Sequence, residues 1–124
     1  MDTRVKITEV RSTKSVHFRN GQERGHRIAS WVELPVIGAH YYTEVSGRTC
    51  PDSQEAAGYA FAEMAAETEA HDRSSADWIN GSAYAMLRNA KNQDKAWGEF
   101  EDGVQAGIEA CWNERVAGGY YDED

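Results

Sequence analysis

An apolar repeat near the C-terminal end limits what this chain can fold into. Five apolar residues follow one another at spacings of three, four, four and three positions, namely Trp97, Phe100, Val104, Ile108 and Cys111. At about 100° per residue they form one stripe of a single long helix, which must bury that stripe against another element. Asp94 suits the start of this helix, and Gly118-Gly119 suits its end.

Two glycines interrupt the predicted helix. Gly103 and Gly107 lie four residues apart, so they share one side of it. Each costs the helix about 1 kcal/mol relative to alanine. Together they leave a shallow strip where another element can approach the backbone closely.

Two further helices are predicted within residues 51–90. Asp52 is a suitable N-cap for the first, whose apolar stripe contains Ala57, Ala60, Phe61, Met64 and Thr68. The second begins near Ser74 or Ser75. Asn80-Gly81 lies inside this second helix and favours a kink or a split into two helices.

The N-terminal part favours strands. Strand-like sequence occurs at residues 4–10, 16–18, 28–34 and 39–45, in part with the alternation of a half-buried strand. Asn20-Gly21 is a strong turn dipeptide, because both residues tolerate positive φ. The short connections between these segments predict an antiparallel meander.

These patterns predict one α+β domain over residues 1–119. It would contain an N-terminal antiparallel sheet of about four strands, followed by about three helices packed on one face. Four residues are expected to meet in its core, namely Trp31, Trp97, Phe61 and Ile108. Residues 120–124 are expected to form a mobile acidic tail.

Charge separates the two parts of the chain. The net charge is −8, with eight Lys/Arg and five Asp/Glu in residues 1–50, and five and sixteen in residues 51–124. Such a negative field repels phosphates and attracts basic protein surfaces. Acidity that only keeps the protein soluble is the alternative explanation. No apolar run is long enough to span a bilayer, and the first residues lack the apolar core of a signal peptide, so a cytoplasmic location is predicted.

Carboxylates on the predicted helices form the first candidate site. In the C-terminal helix they lie opposite the apolar stripe, and two in the first helix repeat the arrangement; the set is Glu99, Asp102, Glu109, Glu63 and Glu67. Like charges along a helix cost a little stability, so the helix itself does not require them. A solvated helix face is the alternative reading.

An aromatic residue extends this site. Trp112 lies at the edge of the apolar stripe, where an aromatic beside acidic groups is typical of an interface anchor. The predicted function is therefore a non-catalytic acidic protein-binding module. It would occupy a basic nucleic-acid-binding surface of a larger host protein, as a phage or mobile-element inhibitor of the anti-CRISPR or anti-restriction type would.

A basic segment supplies the alternative function. Residues 19–27 read as a hairpin tip with Arg19, Arg24 and Arg27, which would bind nucleic acid or a phosphorylated ligand. The segment lacks the Lys-Ser/Thr of a P-loop and does not precede a predicted helix. A third hypothesis is a small enzyme that uses Cys50 or a histidine, and a fourth is self-association of the two oppositely charged parts.

Catalytic and metal-binding signals are weak. Cys50 precedes a predicted helix start, where a thiol can be activated, but no family-specific signature surrounds it. His26 and His40 would supply two metal ligands without an apparent third. Because the predicted location is cytoplasmic, Cys50 and Cys111 are predicted to be reduced structural thiols, with a disulfide between them as the alternative, and no metal or other cofactor is expected.

Overall fold

The computed structural model describes residues 15–37, 42–43, 48–49 and 51–119. Within them it contains five helices, which are α1 (Val16–Ala29), α2 (Gln54–Asp72), α3 (Ala76–Ile79), α4 (Ser82–Arg88) and α5 (Gln93–Ala117). Two strands of two residues each, β1 (Tyr42–Thr43) and β2 (Arg48–Thr49), pair antiparallel.

The predicted α+β fold with an N-terminal sheet is wrong. One helix, Val16–Ala29, covers a predicted strand, the predicted turn and the start of the next strand. Residues 30–37 contain no strand, and β1 and β2 are too short to form a layer of the fold. The predicted strand at residues 4–10, much of that at 39–45, and the tail at 120–124 lie outside the described residues.

Local capping explains why α1 forms. The Ser15 side chain accepts a hydrogen bond from the Phe18 amide at 3.0 Å, as an N-cap does. His26 and Arg27 lie in the last turn, where positive charge complements the helix dipole. These signals are present in the sequence, but the turn propensity of Asn20-Gly21 conceals them.

Glycines bring α1 into backbone contact with α5. A Cβ built on any of four glycines would lie closer than 3.0 Å to the backbone of the facing helix: Gly21 against Phe100, Gly25 against Val104, Gly103 against Phe18 and Gln22, and Gly107 against Gln22 and His26. Later residues of α1 contact later residues of α5, so the two helices run parallel. The strip predicted at Gly103 and Gly107 is confirmed, and α1 occupies it.

An arginine of α5 holds the C-terminal end of α1. The Arg115 guanidinium donates to the carbonyls of Ser30 and Val32, at 2.8 Å each, and its carbon lies 5.3 Å from the Phe61 ring centroid. Carbonyls at a helix end have no partner within the helix, so a long side chain can satisfy them. Arg115 thereby fixes the turn that follows α1.

Helix α2 packs antiparallel to α5. Gly58 lies against the Trp112 indole, whereas Arg73, at the other end of α2, approaches Glu101 at 3.5 Å. Of the predicted core residues, Phe61 and Ile108 are buried, and Trp97 packs against the core. The prediction that Trp31 lies in the core is wrong, because its side chain is 59% exposed.

Predicted helix boundaries are close to the observed ones. The first predicted helix is α2, which is capped by Ser53 and not by Asp52, and the C-terminal one is α5, which is capped by Asn92 and not by Asp94. The second is split at Asn80-Gly81 into α3 and α4, as the dipeptide indicated. Among the helices that the structure describes, none is long and apolar enough to cross a bilayer.

Candidate functional site

A groove of about 550 Å³ runs between α2 and α5. Its lining includes Glu55, Tyr59 and Glu63 of α2, and Glu109 and Trp112 of α5. The antiparallel packing of the two helices places these residues opposite one another. The groove thus combines carboxylates and aromatic rings from two separate parts of the sequence.

The Trp112 indole in the groove is held in place by contacts with Phe61 and Gly58. The Trp112 ring lies 5.3 Å from the Phe61 ring, centroid to centroid, and Phe61 is fully buried. A Cβ at Gly58 would lie 3.0 Å from the indole Nε1, so the glycine lets the indole rest on the α2 backbone. Tyr59 beside it is 73% exposed. One ring is therefore fixed, and a second is presented to solvent.

The carboxylates give the groove a single sign of charge. Glu55, Glu63 and Glu109 are all exposed. Among the described residues that line the groove, none is lysine or arginine. Negative charges on both walls reinforce one another in a concave site, and such a site attracts cations.

The structure brings together only part of the predicted acidic site. Glu63, Glu109 and Trp112 share the groove, whereas Glu67 lines a separate depression. Asp102 is exposed and Glu99 is partly exposed on α5, and neither lines the groove.

Two charged or aromatic residues of the groove, Glu55 and Tyr59, are not among the site residues predicted from the sequence. A signal for Tyr59 was present, because it precedes Glu63 by four positions and therefore lies on the same side of a helix.

Arg24, at the centre of the predicted anion-binding hairpin, is buried inside the fold. Its Nε lies 2.7 Å from Glu69 Oε2, and its Nη2 lies 3.0 Å from Asp72 Oδ2. Its guanidinium carbon is 4.3 Å from the Trp78 ring centroid. The segment is helix α1 and not a hairpin, and the Arg24 guanidinium faces internal partners.

The other two arginines line a depression between α1 and α5. Arg19 and Arg27 border this space of about 620 Å³ together with His26, Glu23 and Glu114. His26 Nε2 lies 2.9 Å from Glu114 Oε1. Two carboxylates therefore accompany the two arginines and offset much of their charge.

Cys111 is a buried, free thiol, as predicted. Burial raises the pKa of this thiol, which disfavours the nucleophilic thiolate. Cys50 and His40 lie outside the described residues. Within the described ranges, no group of three or more His, Cys, Asp or Glu side chains is arranged to hold a metal ion.

Comparison with known proteins adds no assignment. No protein-family model matches the chain, and no curated protein or solved structure shows significant similarity to it.

Proposed function

We propose that this chain is a non-catalytic protein-binding module whose groove between α2 and α5 engages a basic surface of a larger protein. The observation that carries the proposal is the convergence of Glu63 and Glu109, from two helices, on one groove that also presents Tyr59 and Trp112. Where the basic surface otherwise binds nucleic acid, the groove would compete with it. An inhibitor of the anti-CRISPR or anti-restriction type would act in this way.

Charge supports selectivity for a cationic partner. An exposed ion pair contributes only about 0.2–1 kcal/mol, so the carboxylates favour rapid and selective encounter more than tight binding. Phosphate polymers are repelled by the same field. A lysine- or arginine-bearing protein surface is the complementary ligand.

Aromatic residues support affinity. Tyrosine and tryptophan are enriched among the residues that dominate binding energy at interfaces. A guanidinium within about 6 Å of an aromatic centroid gains from the ring quadrupole. Trp112 already rests on Phe61 and Gly58, so little side-chain freedom remains to be lost on binding.

Charge reversal in the groove should weaken binding of a cationic probe. We expect Glu63→Lys and Glu109→Lys each to reduce affinity for a fluorescently labelled arginine nonapeptide by about 3- to 10-fold, because attraction is replaced by repulsion. The measurement is fluorescence anisotropy at about 20 mM salt, where screening is weak.

Glu33→Lys is the matched control, because it changes net charge equally at an exposed site outside the groove. We expect it to change affinity by less than about 2-fold. Equal losses in all three variants would contradict the proposal, since net charge alone would then explain binding. Circular dichroism should be the same for every variant.

The depression at Arg19 and Arg27 is the second candidate site. These two arginines favour an anionic ligand, whereas Glu23 and Glu114 beside them oppose one. A labelled DNA oligonucleotide titrated under the same conditions distinguishes the two functions. Salt-sensitive DNA binding that is lost in Arg27→Glu would favour this second site over the groove.

A further inference from the structure

A second depression lies on the other side of α2. Its volume is about 440 Å³, and Glu67, Thr68, His71 and Asp72 of α2 line it together with Trp31. At about 100° per residue, these α2 residues point away from those that line the α2–α5 groove. Helix α2 therefore separates two depressions, namely the α2–α5 groove and this one beside Trp31.

The depression beside Trp31 resembles the α2–α5 groove, because each combines an aromatic ring with an exposed carboxylate. Trp31 is 59% exposed, an unusual state for so large an apolar side chain, and the exposed carboxylate of Glu67 lies beside it. The Asp72 carboxylate faces Arg24 at 3.0 Å, and the Glu67 side chain is exposed at the surface. An aromatic ring next to a carboxylate suits a guanidinium, which stacks and forms ion pairs at once.

Trp31 projects from a backbone that is held on both sides. Arg115 donates to the carbonyls of Ser30 and Val32, the two neighbours of Trp31 in the chain. The Trp31 amide itself donates to the Ile28 carbonyl at 3.0 Å. The exposed ring is thus presented by a fixed turn, which limits the entropy lost when a partner covers it.

Charge on α2 is of one sign. The helix contains five Asp or Glu residues and no Lys or Arg. Three of the five, Glu55, Glu63 and Glu67, have exposed side chains. The outward side of α2 therefore connects the two depressions as an acidic ridge.

We infer that α2 is the inserted element of the interface, received by a concave, arginine-bearing surface of the partner protein that reaches both depressions at once. The inference rests on the proposed function, because the α2–α5 groove is one of the two contacts. A helix with its side chains is about 10–12 Å across, so the partner's guanidinium groups must be separated by about that distance. The same charge disfavours an anionic partner such as nucleic acid on this side of α2.

Two tryptophan signals can report on the two depressions separately. We would follow the indole N–H resonances of Trp31 and Trp112, assigned with Trp→Phe variants, during titration with an arginine nonapeptide or with N-acetylarginine amide. The extended nonapeptide spans about 30 Å, whereas the single guanidinium of N-acetylarginine amide can occupy only one of the two contacts at a time. Buried Trp78 serves as an internal reference.

With the nonapeptide, we expect both signals to shift with one apparent Kd. Binding should be at least about 10-fold tighter than with N-acetylarginine amide, because the second contact of the nonapeptide forms intramolecularly. Glu67→Lys should weaken nonapeptide binding by about 3-fold or more, and Glu33→Lys by less than about 2-fold.

The outcomes separate this inference from the proposed function. If only the Trp112 signal shifts, or if Glu67→Lys behaves like Glu33→Lys while Glu63→Lys still weakens binding, the inserted-ridge inference is wrong and the proposed function stands. If Glu63→Lys also behaves like Glu33→Lys, both are wrong.

Discussion

Replacing Gly103 by alanine is expected to destabilise the protein by about 2–4 kcal/mol, whereas the same change at Gly98 in the same helix should stabilise it by up to about 1 kcal/mol. A Cβ at Gly103 would lie closer than 3.0 Å to the backbone of Phe18 and Gln22, and backbone cannot rotate away as a side chain can. Nothing lies within 4 Å of a Cβ at Gly98, so only the gain in helix propensity remains.

Urea unfolding followed by circular dichroism measures both changes. The Gly98 variant controls for helix propensity, because it makes the identical substitution in α5. Gly25→Ala, on the other side of the contact, should destabilise as Gly103→Ala does. If Gly103→Ala changed the free energy of unfolding as little as Gly98→Ala does, α1 and α5 would not be in contact at Gly103.

Glu69→Ala is expected to lower the free energy of unfolding by about 3–5 kcal/mol, because it removes the carboxylate that pairs with the buried guanidinium of Arg24. Arg24 is only 5% exposed and Glu69 3% exposed. Glu69 also accepts two hydrogen bonds from Arg73, at 2.8 Å each. Removing this one carboxylate therefore leaves the desolvated guanidinium of Arg24 with Asp72 as its remaining acidic partner.

A double-mutant cycle tests the reason for this loss. Combining Glu69→Ala with Arg24→Met should recover at least about 2 kcal/mol relative to the sum of the single variants, because the stranded charge is then absent. Additive losses would indicate lost packing instead. Glu109→Ala is the control, and it should change stability by less than about 0.5 kcal/mol, since Glu109 is exposed.

The long helices could be predicted from periodicity, whereas α1 could not. Apolar residues recur every three or four positions from Trp97 to Cys111, so this helix can be recognised without its tertiary contacts. In α1 the dipeptide Asn20-Gly21 indicates a turn locally, but Gly21 is required for contact with α5. The usable signal was the repetition of a four-residue glycine spacing, at Gly21 and Gly25 and again at Gly103 and Gly107.

The binding residues were predictable only as helix faces. Spacing places Glu63 and Glu67 near one another on α2, but it does not reveal that α5 lies beside the first and Trp31 beside the second. Likewise, Arg24 is close in sequence to two other arginines, yet its partners are Glu69 and Asp72, far along the chain. Such pairings depend on tertiary packing, which local sequence does not encode.

The groove depends on where α1 packs, because α1 covers the Gly103 and Gly107 side of α5 and leaves the Glu109 and Trp112 side to the groove with α2. The most direct test is the nuclear Overhauser effect between α-protons, which requires the protons to be close in space. The structure predicts cross-peaks from Gly103 to Phe18 or Gln22, and from Gly107 to Gln22 or His26. Their absence, with α-proton cross-peaks between residues 16–18 and 28–34 as in an antiparallel sheet, would contradict it.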